Sequence, residues 1–302
     1  MDNVRFDGQV AIVTGAGGGL GREYALALAN RGARVVVNDL GGGVDGQGAS
    51  LAAARDVVAE IEAAGGEALA NGASVTDAQA VQALVDEVMA RWGRIDVLIA
   101  NAGILRDKSF SKMTREDFSR VVDVHLMGAF NPIKAVWDIM KAQGYGRIVV
   151  ATSGTGLFGN FGQANYGAAK LALVGLMNTL KIEGAKNDIR INAVAPIAAT
   201  RMTEGLAKPE TLARMSPAYV APGVVYLASR DAPTGAILTA GSGVMSVAQI
   251  YETEGVYFGE APPSVEAVRG QWAKISDSNT QQSYPDTDGQ SGKMFRLAGV
   301  PV

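Results

Sequence analysis

Tyr166 and Lys170, in the run Asn165-Tyr166-Gly167-Ala168-Ala169-Lys170, are the residues whose types and spacing point most directly to chemistry. A phenol is a poor base at neutral pH, because its ordinary pKa is about 10. On a helix, a lysine four residues later shares the same face one turn along. Its positive charge favours the phenolate, which gives a proton-transfer group able to work near pH 7. The same spacing also describes an ordinary surface pair, so its meaning depends on the elements that position it.

Those elements begin at the N-terminus. Gln9-Val10-Ala11-Ile12-Val13-Thr14 is a short apolar, β-branched run and reads as a buried strand. Gly15-Ala16-Gly17-Gly18-Gly19-Leu20-Gly21 follows at once, then a helical stretch from Arg22 to Arg31 stopped by Gly32. Strand, glycine turn and helix form the context of a dinucleotide site. There Gly15, Gly18, Gly19 and Leu20 bring backbone N–H groups and a helix N-terminus to a pyrophosphate. A second strand, Ala33 to Asn38, ends in Asp39, whose carboxylate suits the two hydroxyls of an adenosine ribose and repels the extra phosphate of NADP. No Arg or Lys stands between Gly15 and Gly21 to offset that, so NAD is the expected cofactor.

Further strands are expected at 67–71, 94–100, 147–151, 189–194 and 236–239, with helices at 77–92, 115–141 and 163–186. Alternation of this kind predicts an α/β fold, a mostly seven-stranded parallel sheet with helices on both faces. Ligands bind such sheets beyond the strand carboxyl ends, so Gly15, Asp39, Asn101, Ser153 and Pro196 should line one crevice. The 302 residues show no linker. They divide most simply into a catalytic domain over 1–248 and an irregular C-terminal extension over 249–302, packed on that domain or on a neighbouring subunit. In the extension, 263–275 reads as a short helix with Trp272 on its apolar side, and 277–292 as loosely ordered.

The net charge of −3, with scattered cations, argues against nucleic acid as a main partner. The absence of cysteine removes disulfides and thiol chemistry, and no metal site is expected. There is no signal-peptide pattern and no membrane-spanning run, so a cytoplasmic protein is the expectation.

Taken in order, Thr14-Gly-Ala-Gly-Gly-Gly-Leu-Gly21, Asn101-Ala-Gly103, Ser153, Tyr166-x-x-x-Lys170 and Ala195-Pro196 resemble the short-chain dehydrogenase/reductase family over residues 6 to about 245. Arg5-Phe6-Asp7-Gly8, Val37-Asn38-Asp39-Leu40-Gly41-Gly42, Gly103-Ile104-Leu105-Arg106-Asp107, Tyr145-Gly146-Arg147-Ile148, Gly159-Asn160-Phe161-Gly162-Gln163-Ala164-Asn165-Tyr166 and Arg201-Met202-Thr203 resemble one branch of it. That branch is the (3R)-hydroxyacyl-CoA dehydrogenase domain of peroxisomal multifunctional enzyme type 2, also called 17-beta-hydroxysteroid dehydrogenase type 4, and the chain resembles free-standing bacterial-type relatives of it.

The resemblance implies a Rossmann-like doubly wound fold and the following roles. Tyr166 is the general acid/base, Lys170 lowers its pKa and holds the nicotinamide ribose, and Ser153 bonds the substrate oxygen. Asn101, Ala102 and Gly103 pass along the adenosine ribose, Ser74 and Val75 flank the adenine, and Pro196 and Ile197 meet the nicotinamide end. His125, the single histidine, stands in the helix slot where most relatives carry an asparagine, either catalytic or simply packed.

The implied substrate is a small molecule, a (3R)-hydroxyacyl-CoA, with a steroid or other secondary alcohol without CoA as the alternative. Met202, Leu206, Leu212 and Met215 either greet an acyl chain or pack. Arg106, Lys108, Lys112 and Arg115 either take a CoA phosphate or form a solvated face. The resemblance also implies a homodimer or homotetramer joined through the helices near 115–142 and 163–186.

Overall fold

A computed structural model of the chain describes residues 3–43, 45, 47–200 and 209–301. The expected substrate-loop residues Met202 and Leu206 lie outside the described residues. In chain order the elements begin with β1 (Val10–Thr14), α1 (Gly19–Ala29), β2 (Arg34–Asn38), α2 (Ala52–Ala63), β3 (Glu67–Asn71), α3 (Ala78–Trp92) and β4 (Val97–Ala100). Next come α4 (Arg115–Val122), α5 (Gly128–Gln143), β5 (Gly146–Ala151), α6 (Gly154–Phe158), α7 (Ala164–Gly184) and β6 (Ile189–Ile197). The last are α8 (Pro209–Ala213), α9 (Ala221–Leu227), β7 (Ile237–Gly241), β8 (Val244–Ala248), α10 (Val265–Ile275) and α11 (Thr287–Leu297).

The strands form one sheet in the order β3-β2-β1-β4-β5-β6-β7-β8. β1 to β7 pair in parallel, for example Ile12 with Val36 and with Leu98. The chain starts at β1, moves out to β3, then returns past β1 to β4. The reversal between β1 and β4 opens a crevice beyond their carboxyl ends. The sheet has eight strands rather than seven. Ser242 and Gly243 both take positive φ, at 51° and 81°, which closes a two-residue hairpin and adds β8 at the edge. Buried side chains of β1, β2, β4 and β5 carry the core, including Val13, Val35, Val37, Ile99 and Val149. They pack with Tyr24, Leu28, Val57 and Val224 from the helices.

Expected 115–141 is not one regular α-helix. Between α4 and α5, Asp123–Met127 form a single π turn, closed by the Gly128 N–H donating to the Asp123 carbonyl five residues back. α4 itself starts on a capping box, with Thr114 Oγ1 accepting from the Asp117 N–H at 3.1 Å. At the amino end of β5, Arg147 is fully buried. Its five N–H donors meet the carbonyls of Ser229, Gly146, Asp188 and Arg230 and the Asp188 carboxylate, at 2.6–3.1 Å.

The chain divides into two compact units, Met1–Val247 and Ala248–Val302. In the second, the segment expected to be loosely ordered carries α11, capped by the Asp286 side chain accepting from the Gly289 N–H at 2.9 Å. Its Lys293 is buried against the Thr253 carbonyl at 2.9 Å and Glu252 at 3.1 Å. Trp272, expected on an apolar face, is exposed. Among the described residues no helix is long and apolar enough to cross a membrane, and no cluster of side chains could hold a metal ion.

Candidate active site

A cleft runs beyond the carboxyl ends of β1, β2 and β4. Gly15, Gly18, Gly19, Leu20, Asp39, Ser74, Val75, Asn101, Ala102 and Gly103 all line it. Gly15 takes φ +63°, and a Cβ there would stand 2.8 Å from the Ala102 Cα, so only glycine lets the turn approach the β4 loop. Thr14 Oγ1 accepts from the backbone N–H groups of Asn101 and Ala102 at 3.0 and 3.1 Å, and the Asn101 amide donates to the Thr14 and Gly15 carbonyls.

Asp39 uses both carboxylate oxygens on the turn, accepting from the Gly17 and Gly41 N–H groups at 2.7 Å each. Each oxygen keeps a lone pair for a further donor. The Asn38 amide fixes the next loop by donating to the Ala73 carbonyl at 2.9 Å, and Asn131 holds the Val75 carbonyl at the same distance.

Ser153, Tyr166 and Lys170 form the neighbouring part of the site. Ser153 caps α6, its Oγ accepting from the Thr155 N–H at 3.1 Å. Tyr166 and Lys170 rise from one face of α7, with the amine 5.4 Å from the Tyr166 ring centre. Burial pushes the Tyr166 hydroxyl above the ordinary phenol range; a hydrogen bond with Ser153 opposes this and the Asp107 carboxylate adds to it. Lys170 is not among the groups that shift the phenol. The Lys170 amine instead donates to the Ala151 carbonyl, and burial lowers its own pKa to about 7. Asp107 is held by the Gln163 amide at 2.7 Å.

His125 joins the two parts. Its ring meets the Tyr166 ring edge-on, with centres 5.0 Å apart. A Cβ on Gly103 would fall 2.3 Å from its Cε1, so the ring fills the space beneath that glycine. Nε2 lies 2.8 Å from the Ile104 carbonyl oxygen, and with its proton there it donates to that oxygen. Nδ1 is buried with no partner among the described residues. Burial first, then the Lys170 charge, holds the His125 pKa well below its usual value, so the ring is neutral.

Some expected residues stand apart from the cleft. Ser153, Tyr166, Lys170, Pro196 and Ile197 do not line it; Pro196 and Ile197 lie inside β6, and Ile197 is exposed. Arg106 and Lys108 are ion-paired with Glu116 and Asp117, so neither offers an open anion cradle. Lys112 and Arg115 are exposed, and Leu212 and Met215 are half-buried. Sequence reading missed Leu40, Thr76, Ile104, Arg120, Val124 and Thr200, which also line the cleft. The spacing of Arg120 and Val124, four apart on one helix, was the available signal.

A family model described as short chain dehydrogenase matches residues 9–211. A short-chain type dehydrogenase/reductase of Mycobacterium tuberculosis is 50% identical over 270 residues, covering 89% of this chain and 94% of that protein. The solved structure of full-length peroxisomal multifunctional enzyme type 2 from Drosophila melanogaster superposes with a TM-score of 0.82 at 36% identity, covering 98% of this chain and 50% of that one. A 7 alpha-hydroxysteroid dehydrogenase, solved with NADH and 7-oxo glycochenodeoxycholic acid, superposes with a TM-score of 0.73 at 31% identity, covering 80% of this chain and 98% of that one. With its parallel sheet, glycine turn and Ser-Tyr-Lys group, the chain belongs to the short-chain dehydrogenase/reductase family of oxidoreductases acting on CH–OH groups.

Proposed function

We propose that this protein oxidises the 3-hydroxyl of (3R)-hydroxyacyl-CoA to the 3-oxoacyl-CoA with NAD, in fatty-acid or sterol side-chain breakdown. The observation that carries the reading is the packing of Tyr166, through His125, against the Gly103 wall of a cleft suited to a dinucleotide. The fit rests on the cleft's own parts. Gly18, Gly19 and Leu20 bring the amino end of α1 to it, which suits a pyrophosphate. Asp39, with a spare lone pair on each oxygen, suits a ribose diol and supports NAD over NADP.

A bound nicotinamide would supply the acceptor for the hydride that leaves the carbinol carbon. The residues manage the proton and the geometry. Ser153 Oγ, half-buried on the rigid start of α6, hydrogen-bonds the substrate oxygen and orients it. Tyr166 Oη takes the hydroxyl proton during oxidation and returns it during reduction. Lys170 holds the nicotinamide ribose and stabilises charge beside the phenol. His125, neutral and buried, keeps the Tyr166 ring in place rather than exchanging protons.

An apolar substrate is supported by Phe158 and Phe161, 80 and 89% exposed between Ser153 and Tyr166 in the chain, and by Phe110, 79% exposed on the segment that follows Lys108. The Lys108 N–H donates to the Gly162 carbonyl at 2.9 Å, which joins two of those segments. The likeness to the peroxisomal multifunctional enzyme supports the acyl-CoA assignment. The likeness to the hydroxysteroid dehydrogenase supports the second reading, a steroid or other secondary alcohol. We read the protein as a homodimer or homotetramer.

One assay separates the readings. NADH formation is measured with (3R)- and (3S)-hydroxyacyl-CoA esters beside free steroids and simple alcohols. Turnover of the (3R) esters is expected, and turnover of steroids alone overturns the CoA assignment. Tyr166→Phe should lower kcat by at least about a hundredfold while NAD still binds, as loss of a general acid/base does; a wild-type rate would remove Tyr166 from that role.

A further inference from the structure

The cleft contains a charged group that the proposed reaction does not use. Arg120 is half-buried and is the one cation among the described residues that line it; Asp39 is the one anion. The Arg120 side chain makes no hydrogen bond, ion pair or ring contact among the described residues. Its neighbours Arg106 and Lys108 are paired with acids on the same helix, so an open guanidinium here is not the local rule.

The surroundings of Arg120 define what it could bind. Val124, one turn later on the same helical face, lines the cleft with it. Leu40, Ser74, Val75 and Thr76 are further walls. The polar side chains at this end are already engaged. The Asn38 amide holds the Ala73 carbonyl, and Ser74 Oγ is bonded to Thr76 Oγ1 at 2.9 Å. Leu40, Val75 and Val124 therefore offer apolar contact, and little remains to read the edge of a ring. A phosphate at this end would share the cleft with the Asp39 carboxylate. A flat, electron-rich heterocycle would not be repelled, and a guanidinium stacks well on one.

We infer that Arg120 closes the base pocket of the cleft, its guanidinium plane lying on the adenine face of a bound dinucleotide. The inference rests on the dinucleotide reading above. It adds that this chain grips the base by its face with a cation, rather than by its edge or through a phosphate. Val124 supports the same ring from one turn along the helix.

The test is titration calorimetry of ADP-ribose and 2′-phospho-ADP-ribose against the full-length wild type, Arg120→Ala and Arg120→Lys, with thermal unfolding as a check on folding. Arg120→Ala should weaken ADP-ribose by roughly three- to tenfold, the range of one cation–π contact. Arg120→Lys should recover only a small part of that loss, because an ammonium lacks the flat face. The phosphorylated ligand should lose affinity by the same factor. Unchanged ADP-ribose binding in Arg120→Ala overturns the inference. So does full recovery in Arg120→Lys together with a selective loss for the phosphorylated ligand, which would make Arg120 a phosphate contact. If the wild type binds no ADP-ribose, the dinucleotide reading itself fails, a result distinct from either.

Discussion

At the residue scale, Lys170 links function to stability. The residue is 4% exposed, and its pKa falls from 10.5 to about 7 through burial. Below about pH 7 the folded and unfolded chains both carry the charge, and the folded chain bears the full burial cost. As pH rises from about 7 towards 10.5, the native amine is neutral while the unfolded one still binds a proton. Stability from this group therefore rises with pH across that window. Lys170→Met should abolish turnover yet raise the melting temperature near pH 6.5, by an amount that shrinks near pH 9.5. Calorimetry at the two pH values checks this, and an equal gap at both would show that the buried charge is not the cause. The identities of Tyr166, Lys170, Ser153 and Asp39 were legible in the sequence because their types and order are restrictive. The direction of the Tyr166 pKa was not, since it depends on burial and on Asp107, held by Gln163 56 residues further along the chain.

At the element scale, the π turn at Asp123–Met127 is the feature that periodicity could not foresee. One inserted residue rotates the following face by about 100°. His125 sits in that turn with its ring beneath Gly103 and against Tyr166. A side chain on Gly103 would strike the imidazole at 2.3 Å, a contact that neither rigid neighbour can relieve cheaply. Gly103→Ala should therefore displace His125, weaken NAD and lower kcat together. Near-normal kinetics would show that the wall between cofactor and tyrosine yields without consequence. The regular strands and α3 were legible within a few residues, because their apolar runs are uninterrupted and Asp77 marks the start of α3, its side chain accepting from the Gln79 N–H at 2.9 Å. α2 and α11 were not, being rich in Ala, Gly and charged residues that carry a weak pattern.

At the scale of the whole molecule, the helices that border the site also carry apolar residues on their outer faces. Phe118 and Phe130 flank the π turn, and Leu171 and Ile182 stand on α7, all between 38 and 54% exposed. In the homo-oligomer we propose, these residues meet a second copy. Phe130→Glu with Leu171→Glu should shift the native mass towards the monomer by light scattering; an unchanged mass would exclude this surface as the contact. The doubly wound order was legible because strands and helices alternate. The eighth strand was not, since β8 is short, exposed and made by a two-residue turn. The Arg147 clasp lies at the amino ends of the strands, whereas every group assigned to chemistry lies at the carboxyl ends. The molecule thus keeps its fastening and its working parts on opposite rims. A change at the Arg147 clasp can consequently move heat tolerance while leaving catalytic preference alone, whereas a change at Lys170 moves both.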